Sequence, residues 1–218
     1  CDMKGYLGAA LWLLPRIRQD RLRVPLHFAF TYDEEVGCVG APALIEEFTH
    51  RGVHPQFCVV GEPTSMRVIS AHKGAHRGRV SITGVAKHAS LATHGVSAVN
   101  AAGEFITFFA RLADSWEQEG PFDQAFVVPH ATGGVNFARG GVQYNIVAER
   151  AVLEYDFRIL PSMTTESVVQ RLEDELFGAI LPRMHARAAR AEELSGAEPG
   201  SLTAQVQVQH ELLAAVPG

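Results

Sequence analysis

The chain has 218 residues, of which 47% are hydrophobic and 20% charged, a composition typical of globular proteins with a filled core. The formal net charge of −5, without a run of Lys or Arg, gives no indication of nucleic acid or an anionic membrane surface as a partner. No apolar stretch approaches the roughly 20 residues that a membrane-spanning helix requires.

Cysteine usage indicates a reducing compartment. Cys1, Cys38 and Cys58 cannot all pair, and none lies in a CxxC spacing. Free thiols fit a cytoplasmic location best. We interpret Cys38 as a small buried residue, because no histidine partner for a nucleophile follows from the sequence. The chain opens without a signal-peptide pattern and has the character of the middle of a protein.

Residues 1–70 alternate between helix and strand patterns. A first helix is indicated by apolar residues at helical spacing, which are Leu7, Ala10, Leu11 and Leu14. The run "VPLHFAFTY" (24–32) is apolar enough for a strand buried on both faces, and "FCVVGEP" (57–63) has the same character. Between them "APALIEEF" (41–48) predicts a helix. Together these three segments predict a βαβ unit in a parallel sheet.

The pattern changes after about residue 70. The predicted strands are 75–85, 125–138, 144–160 and 186–194, and the predicted helices are 95–118 and 164–178. This β-α-β-β-α-β order predicts a ferredoxin-like split βαβ. The glycine pairs Gly133-Gly134 and Gly140-Gly141 are interpreted as turns.

Three regions follow from these patterns. Residues 1–70 are predicted to be part of an α/β domain, and residues 71–190 an α+β module. Residues 191–218 hold a Gly/Pro-rich link and a helix-like stretch, interpreted as a return segment toward the first domain.

Acidic residues cluster where the predicted α/β elements begin or end. Asp2 lies at a helix start, Glu34 and Glu35 follow one strand, and Glu62 follows the next. Ligands of open α/β sheets bind at the carboxyl ends of strands, and clustered carboxylates repel one another unless a cation compensates. A two-metal site is one arrangement that uses such a cluster. Helix caps and solvated turns are the alternative.

Several sequence blocks occur in order along residues 1–180. They are "CDMKG", "DEEVG", "VVGEPT", "SAHKG", "GVAKHASLATHGVSAVNAA" and "ATGGVNFARGGVQYNIVAERAVLEYDFRILP". In this order and spacing they resemble the M20 metallopeptidase family of co-catalytic zinc hydrolases and deacylases, and within it the acetylornithine deacetylases look most similar. The resemblance implies a partial parallel-sheet zinc-hydrolase catalytic domain with an inserted ferredoxin-like dimerisation domain, and hence a homodimer formed through residues 71–190.

The resemblance also implies a role for each acid. Asp2 matches the carboxylate that bridges two metals, Glu35 a ligand of one metal, and Glu62 a ligand of the other. Glu34 matches the general base, which would take a proton from water and pass it to the leaving amine. Alternation along an extended chain would turn Glu34 and Glu35 to opposite sides. Two divalent ions are implied, with zinc favoured and cobalt or manganese also compatible.

Residues of the second module complete the implied site. His88 matches a histidine that reaches the active site of the partner subunit and stabilises the oxyanion. By itself, a histidine beside small residues is more often a capping or surface residue. Asn145 and Arg158 match residues that contact the polar end of the substrate, although Arg158 could equally form a salt bridge at a strand end. His72 and Lys73 could face the cleft or hold the domain crossover.

Two expected metal-ligand histidines are absent from the sequence. In the family one precedes "CDMKG" and another lies near the C-terminus, beyond the position that Gly218 matches. We therefore expect a fragment of a larger protein, of about 400 residues by resemblance, that is inactive alone.

The expected activity is metal-dependent removal of an N-acyl group from a small amino-acid derivative, as in arginine biosynthesis. The alternatives are a succinyl-diaminopimelate desuccinylase or carboxypeptidase activity of the same family and, from another class, a non-catalytic dimerisation or binding module.

Overall fold

The computed structural model describes residues 3–213, without the side chains of Gln19 and residues 211–213. The chain divides into two compact units, Cys1–Ile69 and Ser70–Gly218, which are called the first and second unit below. None of the helices in the described part of the chain has the length and apolar character needed to cross a bilayer.

The first unit is built on two helices. Helix α1 spans Lys4–Leu13 and continues into a short 3₁₀ turn that contains Pro15. Helix α2 spans Ala41–His50 and has Pro42 in its first turn, where a missing N–H costs nothing. Both helices agree with the sequence-based prediction.

The parallel sheet predicted for this unit is not formed. Among the described residues 3–69, neither 24–32 nor 57–63 is a strand. A strand exists only through a ladder of hydrogen bonds to a neighbouring strand, and these segments form no such ladder with any of the described residues. Their apolar side chains consequently stay in solvent, with Phe30 52% exposed and Phe57 89% exposed.

The second unit contains a four-stranded antiparallel sheet with helices on one face. The strands are β1 (Gly74–Thr83), β2 (Thr132–Gly140), β3 (Arg150–Ile159) and β4 (Gln205–Leu213), in the spatial order β2-β3-β1-β4. The helices are α3 (Ala98–Glu119), α4 (Thr165–Glu175) and α5 (Leu181–Ser195). The predicted β-α-β-β-α-β order is confirmed, with two helices in place of one between β3 and β4.

Side-chain caps fix where the helices begin. The hydroxyl of Ser97 accepts a hydrogen bond from the N–H of Asn100 (3.2 Å), which starts α3. Thr164 caps α4 in the same way through the N–H of Ser167 (3.3 Å). Helix α5 ends at Gly196, whose φ of 64° is the left-handed conformation that glycine adopts without strain.

The predicted fourth strand at 186–194 is wrong, because this segment lies in α5. The apolar residues that α5 buries are four and three positions apart, at Met184, Ala188 and Ala191. The alternation seen in "ARAARAEEL" is therefore part of a helical repeat.

The predicted return segment contains the true fourth strand. Gln205–Leu213 pairs antiparallel with β1, for example Val208 with Val80 and His210 with Gly78. Upstream of it, the buried carboxylate of Glu192 accepts the N–H groups of Gly200 (3.0 Å) and Leu202 (2.8 Å), which holds the α5–β4 loop.

The two glycine pairs differ. Gly140 ends β2 and Gly141 turns the chain with φ of 70°, as predicted. Gly133 and Gly134 instead lie inside β2. A Cβ on Gly133 would come within 2.8 Å of Cβ of Phe157 and 3.1 Å of Cε2 of Phe109, so glycine here permits close packing of sheet and helix.

Candidate functional site

Glu34, Glu35 and Glu62, the predicted site acids among the described residues of the first unit, are exposed and lie at or beside turns. The carbonyl of Glu34 accepts the N–H groups of Gly37 (3.0 Å) and Cys38 (2.9 Å), which closes a turn around Glu35. The predicted alternation of Glu34 and Glu35 along an extended chain therefore does not apply, because Glu35 lies inside that turn. Glu62 follows the second apolar segment, and its carbonyl accepts the N–H of Thr64 (2.8 Å).

The negative charges of two of these acids act on the thiol of Cys38. Its Sγ lies 3.8 Å from Oε1 of Glu34. Partial burial, followed by the negative charges of Glu34 and Glu62, raises the pKa of the thiol. The expectation that Cys38 is buried is wrong, since Cys38 and Cys58 are both free and exposed.

The described residues alone do not form a metal centre. Across positions 3–213, no group of three or more His, Cys, Asp or Glu side chains is arranged to hold a metal ion. Asp2, the predicted bridging ligand, lies outside the described residues. Glu35 and Glu62 thus do not amount to a metal site without further ligands.

In the second unit the backbone brings His88 next to Asn145. The segment after β1 pairs with the segment before β3 through an isolated bridge between His88 and Ile146. On either side of it, Ala89 N–H donates to the Asn145 carbonyl (2.8 Å) and Val147 N–H donates to the Lys87 carbonyl (2.8 Å). His88 and Asn145 are both exposed on this paired segment.

The ring of His88 is held by its own chain. Nδ1 accepts a hydrogen bond from the backbone N–H of Ser90 (3.2 Å) and lies 2.8 Å from the Ser90 hydroxyl. His88 thereby caps the short 3₁₀ helix Ala89–His94, which confirms the capping role that the residue type suggests. Sequence reasoning missed Ser90, although its place two residues after a candidate histidine is typical of such local bonds.

Arg158 lies at the other end of the sheet. It is exposed near the end of β3, opposite Ala75 on β1 and Thr132 on β2. Arg150, at the start of β3, is opposite Thr83, next to the segment that carries His88. Arg158 lies eight residue steps along the strand from Arg150, which is about 27 Å at roughly 3.4 Å per residue. Within one copy of the second unit, Arg158 and His88 are therefore far apart.

Asp156 orients Arg158 and was missed by the sequence reasoning. Its Oδ1 accepts from Nε of Arg158 at 3.0 Å, and its Oδ2 lies 3.8 Å from Nε of Arg77. All three side chains lie on the face of the sheet opposite the helices, where Arg79 and Glu154 form a further ion pair. The spacing of two between Asp156 and Arg158 on a strand was the available signal. The salt-bridge reading of Arg158 is thus confirmed, while substrate contact stays a prediction.

Lys73 has a structural contact. Its Nζ donates to the carbonyl of His130 at 2.5 Å, and partial burial lowers its pKa. His72 is exposed and its Nδ1 lies 2.9 Å from the carbonyl of Lys73. The bond from Lys73 ties the start of β1 to the segment that enters β2.

A comparison with protein families identifies a known domain within the second unit. The family model for the peptidase dimerisation domain of the M20 peptidases matches residues 70–179. This range contains β1, α3, β2, β3 and α4.

Among curated proteins, the acetylornithine deacetylase of Proteus mirabilis is 33% identical over 181 residues, which is 83% of this chain and 45% of that protein. The acetylornithine deacetylase of Myxococcus xanthus is 32% identical over 173 residues, 79% of this chain and 44% of that protein. The chain thus spans slightly less than half the length of these relatives.

Among solved structures, the aminopeptidase PepT of Bacillus cereus matches with a TM-score of 0.40 and 18% identity, over 66% of this chain and 30% of that one. The match to the family model covers half of the chain, and it coincides with the antiparallel sheet and helices described above. The chain therefore belongs to the M20 peptidase family, whose dimerisation domain it carries.

Proposed function

We propose that this chain is part of a metal-dependent amide hydrolase that removes an N-acyl group from a small amino-acid derivative. The observation that carries the proposal is the 33% identity over 181 residues to a protein named acetylornithine deacetylase. That alignment is longer than the dimerisation domain, so it extends beyond the second unit. The specific proposal is an acetylornithine deacetylase-like reaction in arginine biosynthesis.

Glu34 is the proposed general base. A carboxylate that is exposed at a turn can take a proton from the attacking water and deliver it to the leaving amine. The negative charge that then develops on the carbonyl oxygen requires a donor, and His88 is proposed to supply it to the active site of a partner subunit. This role is supported by the exposure of His88 and by the two backbone hydrogen bonds that hold its segment against the segment of Asn145.

Asn145 and Arg158 are the proposed contacts for the polar end of the substrate. Because they lie at opposite ends of the sheet in one copy, they would serve different sites of a homodimer. Asp156 already occupies Nε of Arg158, so the two Nη groups would be available for a substrate carboxylate.

Two divalent metal ions, zinc in the first place and cobalt or manganese as alternatives, are the proposed cofactors. Asp2, Glu35 and Glu62 are the proposed ligands, and metal ions would supply charge stabilisation at the scissile amide. Since the described residues do not complete a metal group, this proposal requires Asp2 and ligands beyond this chain. We accordingly propose that the active species is a longer protein and that the chain by itself is inactive.

The proposed assembly is a homodimer formed through residues 71–190. β2 is an edge strand of the sheet, and an unpaired edge can add a strand from a second copy. The free thiols of Cys38 and Cys58 support a cytoplasmic location. We propose no nucleic-acid or membrane partner.

Variants of Glu34 and Glu35 test whether these neighbouring acids have different roles. In a longer protein that carries this chain, Glu34→Gln should abolish hydrolysis of N-acetylornithine while metal content is unchanged. Glu35→Gln should lower metal content, because it removes a ligand. Metal analysis and turnover are measured on the same samples, and identical behaviour of the two variants would contradict the proposed roles.

Two further measurements identify the substrate and distinguish an enzyme from a non-catalytic module. Side-by-side assays with N-acetylornithine and N-succinyl-diaminopimelate distinguish the deacetylase from the desuccinylase, and a dipeptide tests carboxypeptidase activity. A non-catalytic dimerisation or binding module is the second candidate, favoured by the match to residues 70–179. Two tightly bound metals per chain would argue against it, whereas none would favour it.

The chain alone should not turn over N-acetylornithine with added zinc or cobalt. Turnover at a rate typical of an enzyme would refute the proposal that a longer protein is needed. An intact-mass measurement on the native protein shows whether this chain is part of a larger one.

A further inference from the structure

The two ring nitrogens of His88 have different surroundings. Nδ1 lies 3.2 Å from the backbone nitrogen of Ser90 and 2.8 Å from its hydroxyl oxygen. A backbone N–H can only donate, so Nδ1 of His88 has to accept and cannot carry a hydrogen. In a neutral imidazole the hydrogen then lies on Nε2.

We propose that Ser90 is a positioning residue that fixes His88 in the Nε2–H tautomer, so that Nε2 is presented as a hydrogen-bond donor. The hydroxyl of Ser90 reinforces the bond from the backbone N–H, since it can also donate to Nδ1. A hydrogen on Nδ1 would face the N–H of Ser90, donor against donor. The local chain thus favours one tautomer.

The backbone of His88 is fixed as well as its ring. The bridge between His88 and Ile146 lies between two hydrogen bonds of 2.8 Å, one from Ala89 to Asn145 and one from Val147 to Lys87. His88 has φ of −61° and ψ of 140°, an extended conformation without strain. The direction of the Nε2–H group is therefore set by the paired segment and by the bond from Ser90.

This inference rests on the proposed function for its chemical meaning. A histidine that stabilises an oxyanion has to donate a hydrogen bond, and the Nε2–H tautomer does so without a net charge. The opposite tautomer would turn a lone pair toward the developing negative charge. Ser90 would thus keep His88 ready to donate before substrate arrives, so that no tautomer change is needed during the reaction.

His94 provides an internal reference with the opposite tautomer. Its Nδ1 lies 3.1 Å from Oγ of Ser195, and the Ser195 hydroxyl donates its hydrogen to the carbonyl of Ala191 (2.5 Å). The Ser195 oxygen is therefore left to accept, and Nδ1 of His94 has to carry the hydrogen. Two histidines six positions apart are thus expected in opposite tautomers.

The test is a long-range ¹H–¹⁵N correlation spectrum of the full chain labelled with ¹⁵N-histidine, at a pH where the rings are neutral. His88 should show the Nε2–H pattern and His94 the Nδ1–H pattern. In Ser90→Ala the preference of His88 for Nε2–H should fall about fivefold, as expected for one hydrogen bond of roughly 1 kcal/mol. Ser90→Thr keeps a hydroxyl and should therefore keep the preference of His88 for the Nε2–H tautomer.

Ser195→Ala is the matched control. It should change the tautomer pattern of His94 and leave that of His88 unchanged, and the remaining histidine signals show whether each variant is folded. An Nδ1–H pattern for His88 in the unchanged chain would overturn the inference, as would a Ser90→Ala chain with the original tautomer ratio.

The spectrum does not depend on turnover, so the two proposals can fail separately. If His88→Ala in a longer, active protein keeps full activity, the proposed role of His88 fails whatever its tautomer. If that variant loses activity while His88 shows the Nδ1–H pattern, the proposed function stands and the inference about Ser90 fails.

Discussion

His76 is a buried member of a polar network in the second unit. It is 1% exposed, and its ring stacks on Phe157 with a centroid distance of 4.7 Å. Its Nε2 lies 3.2 Å from Nδ1 of His210, which also lies 3.2 Å from the hydroxyl of Tyr155. Nε2 of His210 in turn lies 3.1 Å from Oε1 of Glu173 on α4. The network joins β1, β3, β4 and α4 through four side chains.

One atom of this network has no partner. Nδ1 of His76 is buried and makes no hydrogen bond within the described part of the chain. Burial, and next the neighbouring His210, lower the pKa of His76, against smaller opposing effects of Asp156 and Glu166. The folded protein therefore keeps His76 neutral at pH values at which an exposed histidine begins to bind a proton.

The stability of the second unit should consequently depend on pH. An unfolded chain has a histidine pKa of about 6.5, so it binds a proton at His76 as the pH falls below that value while the folded chain does not. Stability should then decrease as the pH is lowered through about 6.5 toward the lowered pKa of the folded state. His76→Phe, which keeps an aromatic ring beside Phe157, should reduce this dependence.

Urea unfolding at neutral and mildly acidic pH measures the effect. His72→Phe is the matched control, since His72 is exposed and close in sequence, and it should keep the pH dependence of the unchanged chain. An equal loss of stability on acidification in the unchanged chain and in His76→Phe would contradict the assignment.

At the scale of elements, the packing of α3 on the sheet is the main apolar contact of the second unit. Phe109 is 0% exposed and lies at centroid distances of 5.6 Å from Tyr155 and 6.2 Å from Phe105. It also fills the space that Gly133 leaves open on β2. The helix and the sheet are thus complementary in shape at this point.

Phe109→Ala should destabilise the second unit by about 3–5 kcal/mol, the usual cost of a cavity of this size. Chemical denaturation followed by circular dichroism measures it. Phe177→Ala is the control, because Phe177 is 42% exposed and its removal should cost much less. Similar losses in both variants would show that α3 does not pack on the sheet as described.

The sequence predicts elements well where the side-chain period is unambiguous. The alternation along β1 and the long apolar stripe of α3 were predicted within a few residues of the observed bounds. Segment 186–194 was mistaken for a strand because small residues with interspersed arginines satisfy both periods over a short window. The alternating Val206 and Val208 among glutamines, in contrast, were the overlooked signal for β4.

The candidate site was predictable only in part. The positions of His88, Asn145 and Arg158 came from resemblance, and the structure adds that His88 and Asn145 are neighbours while Arg158 is remote. That separation depends on the register of β1 against β3, which no local pattern specifies. The bond from Ser90 to His88 depends on backbone direction, which residue types alone do not reveal.

At the scale of the whole molecule, the second unit extends beyond the predicted module of 71–190. β4 covers the edge of β1 and carries His210, which lies next to the buried ring of His76. Without β4, β1 would become an edge strand. Without the whole segment after Ser195, the carboxylate of Glu192 would also lose the N–H groups of Gly200 and Leu202.

A chain of residues 70–213 should therefore unfold cooperatively, whereas residues 70–195 should not. Thermal unfolding followed by near-ultraviolet circular dichroism measures this difference, since it reports fixed packing around Trp116 and Tyr155. Equal cooperativity of the two chains would show that β4 is dispensable.

The central claim, that the second unit is a working M20 dimerisation domain, is tested most directly by sedimentation velocity of residues 70–213. The account predicts twice the monomer mass, with a shift toward monomer in Phe137→Glu, which changes a 48%-exposed residue of the edge strand β2. Phe177→Glu, on the turn after α4, should leave the dimer unchanged. A single monomeric species at every concentration tested would contradict the account.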